Sequence, residues 1–175
     1  MNLSDSLFST ISLGSFSSLW FWIILAVAWS NASHFVMGVP FDMVMRAKRR
    51  GGEAMDDLNT LAMIQARRRM AIIRSSGPWL VAFWMTVLTL LGSLGFFYGF
   101  QLAQALVLLL GPLTLSGWLG LRLAARIETG ALSDLALVKT IIWYRVGVQS
   151  IGLLTILVTT MWGMWQNLSV QVLGG

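Results

Sequence analysis

Long apolar stretches alternate along the chain with shorter polar segments. Four stretches of roughly 20 residues each contain almost no charged side chains: 19–38, 79–100, 102–121 and 141–162. A helix of that length covers the ~30 Å hydrocarbon core of a bilayer. The stretches are continuously apolar and do not alternate, which favours helices over barrel strands. The pattern therefore predicts an all-α, polytopic membrane protein, with residues 1–175 as one domain that crosses the bilayer about four times.

The longest polar segment, 40–76, has the pattern of an amphipathic helical hairpin. Its first helix is predicted from Phe41 to Arg50 and is ended by Gly51 and Gly52. The second is predicted from Glu53 to Ser75, with acidic residues first and arginines last, an order that suits the helix macrodipole. Gly77 and Pro78 are predicted to break this helix before the second crossing begins.

The basic residues are distributed very unevenly. Eleven of the 12 Lys and Arg residues lie between the first and second or between the third and fourth apolar stretches, and Arg145 lies just inside the fourth. Asp5 is the only charge elsewhere, and residues 1–18 lack the positive n-region of a cleaved leader. Because positive loops stay in the cytoplasm, we expect the hairpin to be cytoplasmic and both termini to be periplasmic.

Composition narrows the possible functions. Apolar residues make up 57% of the chain and charged residues only 11%, too few charges for a soluble globule of this length. Cysteine is absent, which excludes disulfides, thiolate metal sites and a cysteine nucleophile. No Asp or Glu lies within the four predicted spans, which argues against an ion-coupled transporter. We expect no enzymatic activity, no metal site and no resident cofactor.

The basic hairpin is the main candidate contact surface. Its cations are expected to meet anionic lipid headgroups, at about 1 kcal/mol each, or an acidic cytoplasmic partner. Nucleic acid is not an expected partner, because no recognised binding fold accompanies the charges. The residues concerned are Arg46, Lys48, Arg49, Arg50, Arg67, Arg68, Arg69 and Arg74.

Small and polar residues within the spans predict where helices pack. Small residues let membrane helices approach closely, and the candidates are Gly92, Gly95, Gly99, Gly117 and Gly120. His34, the sole histidine, lies one turn after Asn31 on the first span. These two side chains are expected to form hydrogen bonds between helices. The alternatives for His34 are to ligate a haem or a chlorin, or to relay a proton.

Three blocks near the start of the chain carry a resemblance to a known family. They are Phe16-Ser-Ser-Leu-Trp-Phe-Trp22, Trp29-Ser-Asn-Ala-Ser-His34 and Gly38-Val-Pro-Phe-Asp42. Together they resemble a family of small inner-membrane proteins of photosynthetic and related alphaproteobacteria, often labelled a component of the SufBCD complex. The resemblance implies a place in a bacterial inner membrane and a link to iron–sulfur cluster assembly.

These observations favour a non-catalytic accessory, assembly or scaffold subunit of a larger inner-membrane complex, which the resemblance suggests is energy-transducing. Other membrane subunits are the expected partners. Two alternatives stay open at this point: a small transporter or channel, and a subunit that binds a cofactor or pigment through His34.

Overall fold

The computed structural model describes residues 19–36 and 38–173, and within them the chain is almost entirely helical. The helices, numbered in chain order, are α1 (Leu19–His34), α2 (Phe41–Arg50), α3 (Gly52–Phe96), α4 (Gln101–Glu128) and α5 (Asp134–Leu173). A short antiparallel hairpin, β1 (Phe35–Val36) and β2 (Val39–Pro40), joins α1 to α2. Among the described residues, α3, α4 and the 134–166 part of α5 are long and apolar enough to cross a membrane.

Helix α1 ends at His34, four residues before the end of the first predicted span. The chain then reverses in the β-hairpin, where Val36 pairs with Val39. Gly38 has a φ of 82°, a left-handed conformation that glycine adopts without steric cost. The 16 residues described in α1 extend about 24 Å, less than the ~30 Å hydrocarbon core.

Helix α2 has the predicted bounds. Its C-terminal cap is Gly51, with a φ of 63°, whose backbone N–H donates to the carbonyl of Ala47. Val44 and Ala47 on one face of α2 are buried, whereas the charged residues of α2 lie on the opposite face. The amphipathic pattern therefore has a direct structural cause, because one face of α2 packs on the rest of the protein.

Helix α3 continues through Gly77 and Pro78, so the predicted break at these residues is wrong. Proline removes one backbone donor from a helix, but long membrane helices tolerate that loss when neighbouring groups stabilise them. The 45 residues of α3 extend about 67 Å, twice the thickness of the hydrocarbon core. Only part of α3 can therefore lie in a bilayer.

The two halves of α3 differ in burial. The first half buries Met55, Leu58, Ala62 and Ala66, which are spaced three or four residues apart on one face. In the second half large apolar side chains are exposed, and Trp79 is 81% accessible. The first half therefore packs as in a soluble protein, and the second half has the surface of a helix in lipid.

Two clusters of buried side chains stabilise the bundle. The larger one joins α2, the first half of α3, the end of α4 and the start of α5, with Leu58, Ile127 and Ile141 among its members. The smaller one joins α1 to α4 and α5 around Trp29 and Val148. Near the larger cluster, the Asn59 side chain forms two hydrogen bonds with Asp134, at 2.8 and 3.1 Å, which fix the start of α5 against α3.

Candidate functional site

The structure distributes the predicted basic residues over several surfaces. Arg50 is next to the turn at Gly51, whereas Arg67 lies 15 residues beyond Gly52 on α3, about 22 Å along the helix. The single basic patch expected from the sequence is therefore divided. One part of it, on α2, combines with a cation from a distant segment of the chain.

The basic face of α2 and Arg145 of α5 line a cleft, which we call the arginine cleft. It is lined by Pro40, Phe41, Asp42, Met45, Arg46, Arg49, Arg50 and Arg145, and its volume is about 580 Å³. Asp42, Arg46, Arg49 and Arg50 follow one another at the spacing of a single helical face. Four arginines against one aspartate give the lining a formal net charge of +3.

Arg145 is the innermost cation of the arginine cleft. Its guanidinium carbon lies 3.8 Å from the centre of the Phe41 ring, a cation–π contact. Its Nε atom is buried and has no hydrogen-bond partner in the structure. The one acid of the lining does not reach it, because Asp42 pairs with Arg46 at 2.7 Å. The arginine cleft therefore presents an unneutralised guanidinium that is suited to an anion.

The other predicted cations have separate surroundings. Arg67 and Arg68 are exposed on α3, and Arg74 forms an ion pair with Glu128 at 2.7 Å. Lys48 lines a different groove, together with Lys139 and Trp143 on α5. All four predicted cations therefore lie outside the arginine cleft, although the sequence predicted one contact surface for them and for the arginines of α2.

Arg69 lies at one end of an apolar groove between α3 and α4. A guanidinium nitrogen of Arg69 is 3.6 Å from the position that a Cβ on Gly120 would occupy. The groove has a volume of about 790 Å³ and contains Trp84, whose indole donates to the Thr114 hydroxyl at 2.7 Å. At the same end, the Arg122 guanidinium stacks on Trp118 at 3.6 Å. An apolar groove with cations at one end matches the shape of an amphiphile.

Two of the predicted small residues are in close contact within the bundle. A Cβ on Gly95 would lie 2.9 Å from the Gln104 backbone nitrogen, and one on Gly120 would lie 2.9 Å from the Tyr144 hydroxyl. The other three are different. A Cβ on Gly92, Gly99 or Gly117 would meet no atom within 4 Å, so these glycines are not required for packing between the described residues.

Gln104 is a structural residue that the sequence reading missed. It is only 4% exposed, and its side chain joins three helices. Nε2 donates to the carbonyl of Gly95 at 2.8 Å. Oε1 accepts from the Trp162 indole at 3.1 Å and from the Gln166 amide at 3.0 Å. A lone glutamine in an apolar stretch was the available signal, because an amide in lipid needs partners.

Two further amides have no such partners. Asn31 on α1 and Gln149 on α5 are both exposed, and the structure gives neither side chain a hydrogen bond within the chain. Exposed threonines on the membrane helices behave differently, as the Thr160 hydroxyl donates to the Ile156 carbonyl at 2.7 Å. Because both side chains are exposed, each of these two amides is accessible to a hydrogen-bonding group from outside the chain.

The His34 side chain lies outside the part of the chain that the structure describes. Hydrogen bonding and cofactor ligation by His34 therefore remain predictions from the sequence. Among the described residues, no group of three or more His, Cys, Asp or Glu side chains is arranged to hold a metal ion. Comparison with known proteins gives no match to a family model, to a curated protein or to a solved structure.

Proposed function

We propose that this chain is a non-catalytic subunit of a larger complex in a bacterial inner membrane, and that the exposed face of α5 receives a transmembrane helix of a partner subunit. The observation that carries the proposal is the unpartnered amide of Gln149, which lies within the apolar part of α5. The bacterial inner membrane is proposed from the family resemblance.

The position of Gln149 makes lipid an unfavourable neighbour. It is eight residues beyond Ile141, where the fourth predicted span begins, which corresponds to about 12 Å along the helix. In hydrocarbon an amide without a hydrogen bond costs several kcal/mol. A polar side chain on an adjacent helix removes that cost, and such bonds join helices in membranes.

The surroundings of Gln149 suit a helix of another protein. Val146 and Leu153, one turn away on either side, are 45% and 70% exposed. Ser150 is exposed beside them. An exposed amide among exposed apolar side chains offers one polar contact to a neighbouring helix, and such hydrogen bonds join helices in membrane proteins.

The proposed topology has four crossings, with α1 as the first and the long helices as the others. The basic segments 40–76 and 122–140 face the cytoplasm, and both termini face the periplasm. In this arrangement the larger buried cluster lies at the cytoplasmic end of the bundle. The first half of α3 then extends beyond the bilayer and offers Arg67 and Arg68 to cytoplasmic components.

Native gel electrophoresis of membranes solubilised in a mild detergent tests the subunit role. We expect the wild-type chain, of 19.3 kDa, to migrate in a larger particle that contains at least one other membrane protein. Gln149→Leu should release it as a monomer. Thr160→Val is the matched control on the same helix, because its hydroxyl already bonds to the Ile156 carbonyl, and this variant should keep the complex.

Recovery of the wild-type chain as a lone monomer in every mild detergent contradicts the proposal. A particle that contains only copies of this chain contradicts it as well, because the face of α5 is then a homodimer interface. Equal effects of Gln149→Leu and Thr160→Val would show that the amide of Gln149 does not hold the partner.

A further inference from the structure

The arginine cleft concentrates charge in a way that is unfavourable without an anion. Four guanidinium groups from two segments of the chain converge there, and Asp42 neutralises only Arg46. Like charges that are held together repel one another, most strongly where water is scarce. The packing of α2 explains why Arg46, Arg49 and Arg50 face solvent. It does not explain why Arg145, from α5, lies in the same cleft.

From this geometry we propose that the arginine cleft binds the phosphate groups of an anionic phospholipid. Arg145 is the anchor of the site. Its guanidinium is held on the face of Phe41, and its buried Nε lacks an acceptor. A phosphate oxygen supplies that acceptor, and the planar guanidinium matches phosphate geometry. The arginines of α2 contact the same headgroup from the exposed side.

The position and shape of the cleft indicate a lipid as the source of the phosphate. Arg145 lies four residues beyond Ile141, about 6 Å into the apolar part of α5, where a free anion would have to leave water. Pro40, Phe41 and Met45 give the cleft an apolar side. Its volume of about 580 Å³ accommodates a glycerophosphate headgroup in addition to the phosphate itself.

The charge of the lining favours a headgroup with two phosphates. The formal net charge of +3 exceeds what one phosphodiester neutralises, whereas the two phosphates of diphosphatidylglycerol come closer to balancing it. Basic pockets between helices at the cytoplasmic surface are known to accept such headgroups. The proposed lipid site rests on the cytoplasmic orientation proposed above for the end of the bundle that contains the arginine cleft. It does not depend on a partner subunit.

The test measures the affinity of the purified full chain for diphosphatidylglycerol in neutral nanodiscs or detergent, by native mass spectrometry of bound lipid. The cleft variant is Arg46→Gln/Arg49→Gln/Arg50→Gln. The control is Lys48→Gln/Arg67→Gln/Arg68→Gln, which removes the same charge from exposed cations outside the arginine cleft. Each lipid-facing cation contributes about fivefold in affinity. We therefore expect at least a tenfold loss for the cleft variant and less than twofold for the control.

Two further measurements complete the test. Arg145→Lys keeps the charge but loses the guanidinium fork, and it should weaken diphosphatidylglycerol more than phosphatidylglycerol. Inorganic phosphate added to the wild-type chain should not displace the lipid. Circular dichroism verifies that each variant keeps its helix content. If Arg145→Lys does not fold, the comparison of the cleft variant with its control decides the question.

Three outcomes overturn the proposal. Equal losses for the cleft variant and the control would mean that lipid binds through general surface charge. Displacement by inorganic phosphate would identify a soluble anion as the occupant. No preference of the wild-type chain for diphosphatidylglycerol over phosphatidylcholine would mean that the arginine cleft is not a headgroup site.

Discussion

Replacing Gln104 with leucine is the sharpest test of how the membrane helices are joined. The glutamine side chain is 4% exposed and holds the start of α4 to the end of α3 and to the C-terminal half of α5. Leucine has a similar volume and cannot form hydrogen bonds. The substitution therefore removes the polar contacts while it leaves the apolar packing largely in place.

The expected loss follows from the bonds that Gln104 makes. Three of them link it to Gly95, Trp162 and Gln166. A hydrogen bond between membrane helices contributes about 0.6 kcal/mol on average. The three together give a loss in unfolding free energy of about 2 kcal/mol, and the Trp162 indole is also left without its acceptor.

Unfolding in mixed micelles with increasing mole fraction of sodium dodecyl sulfate gives this free energy. Tryptophan fluorescence reports the transition, since the chain has nine tryptophans. Gln149→Leu is the control: it makes the same change at an exposed site without a hydrogen bond, and it should stay within about 0.5 kcal/mol of wild type. If Gln104→Leu unfolds at the same detergent fraction as Gln149→Leu, the three-helix contact does not stabilise the bundle.

Two other substitutions are measured by the same titration. Gly95→Ala places a Cβ 2.9 Å from the Gln104 backbone nitrogen, which cannot move aside, so we expect a loss of about 1–3 kcal/mol. Its control Gly92→Ala enters open space and should be neutral or slightly stabilising; equal losses for the two would contradict the close contact. Asn59→Ala removes both hydrogen bonds to Asp134 and should cost about 1 kcal/mol; an unchanged transition would mean that this contact does not fix α5 on α3.

Proline and glycine in the sequence predicted helix ends correctly where the end is set by the backbone of those residues alone. The bounds of α2 follow from Pro40 before it and Gly51 after it, and both residues act through their own backbone conformations. The break at Pro78 was wrong because a helix-breaking residue was read without its context. The helix through Pro78 is long, and the buried residues of its first half anchor it, so one lost backbone donor does not end it.

The candidate sites depend on contacts between distant segments, which a single sequence does not reveal. The sequence placed Arg145 just inside the fourth apolar stretch and gave it no partner. Its place in the arginine cleft requires that Phe41 packs against α5, more than 100 residues further along the chain. The same holds for Gly152, where a Cβ would lie 2.8 Å from the Trp29 ring. Glycine patterns did indicate Gly95 and Gly120, but they gave equal weight to Gly92 and Gly117, which face open space.

The proposed topology and the lipid site depend on the orientation of the helices in the membrane, and the absence of cysteine makes that orientation directly measurable. Single cysteines at Ser4, Glu53, Tyr98 and Ser133 are treated in intact cells with a maleimide that does not cross membranes. With the proposed topology, we expect labelling at Ser4 and Tyr98 in intact cells, and at Glu53 and Ser133 only after lysis. Labelling of Glu53 and Tyr98 from the same side would contradict it.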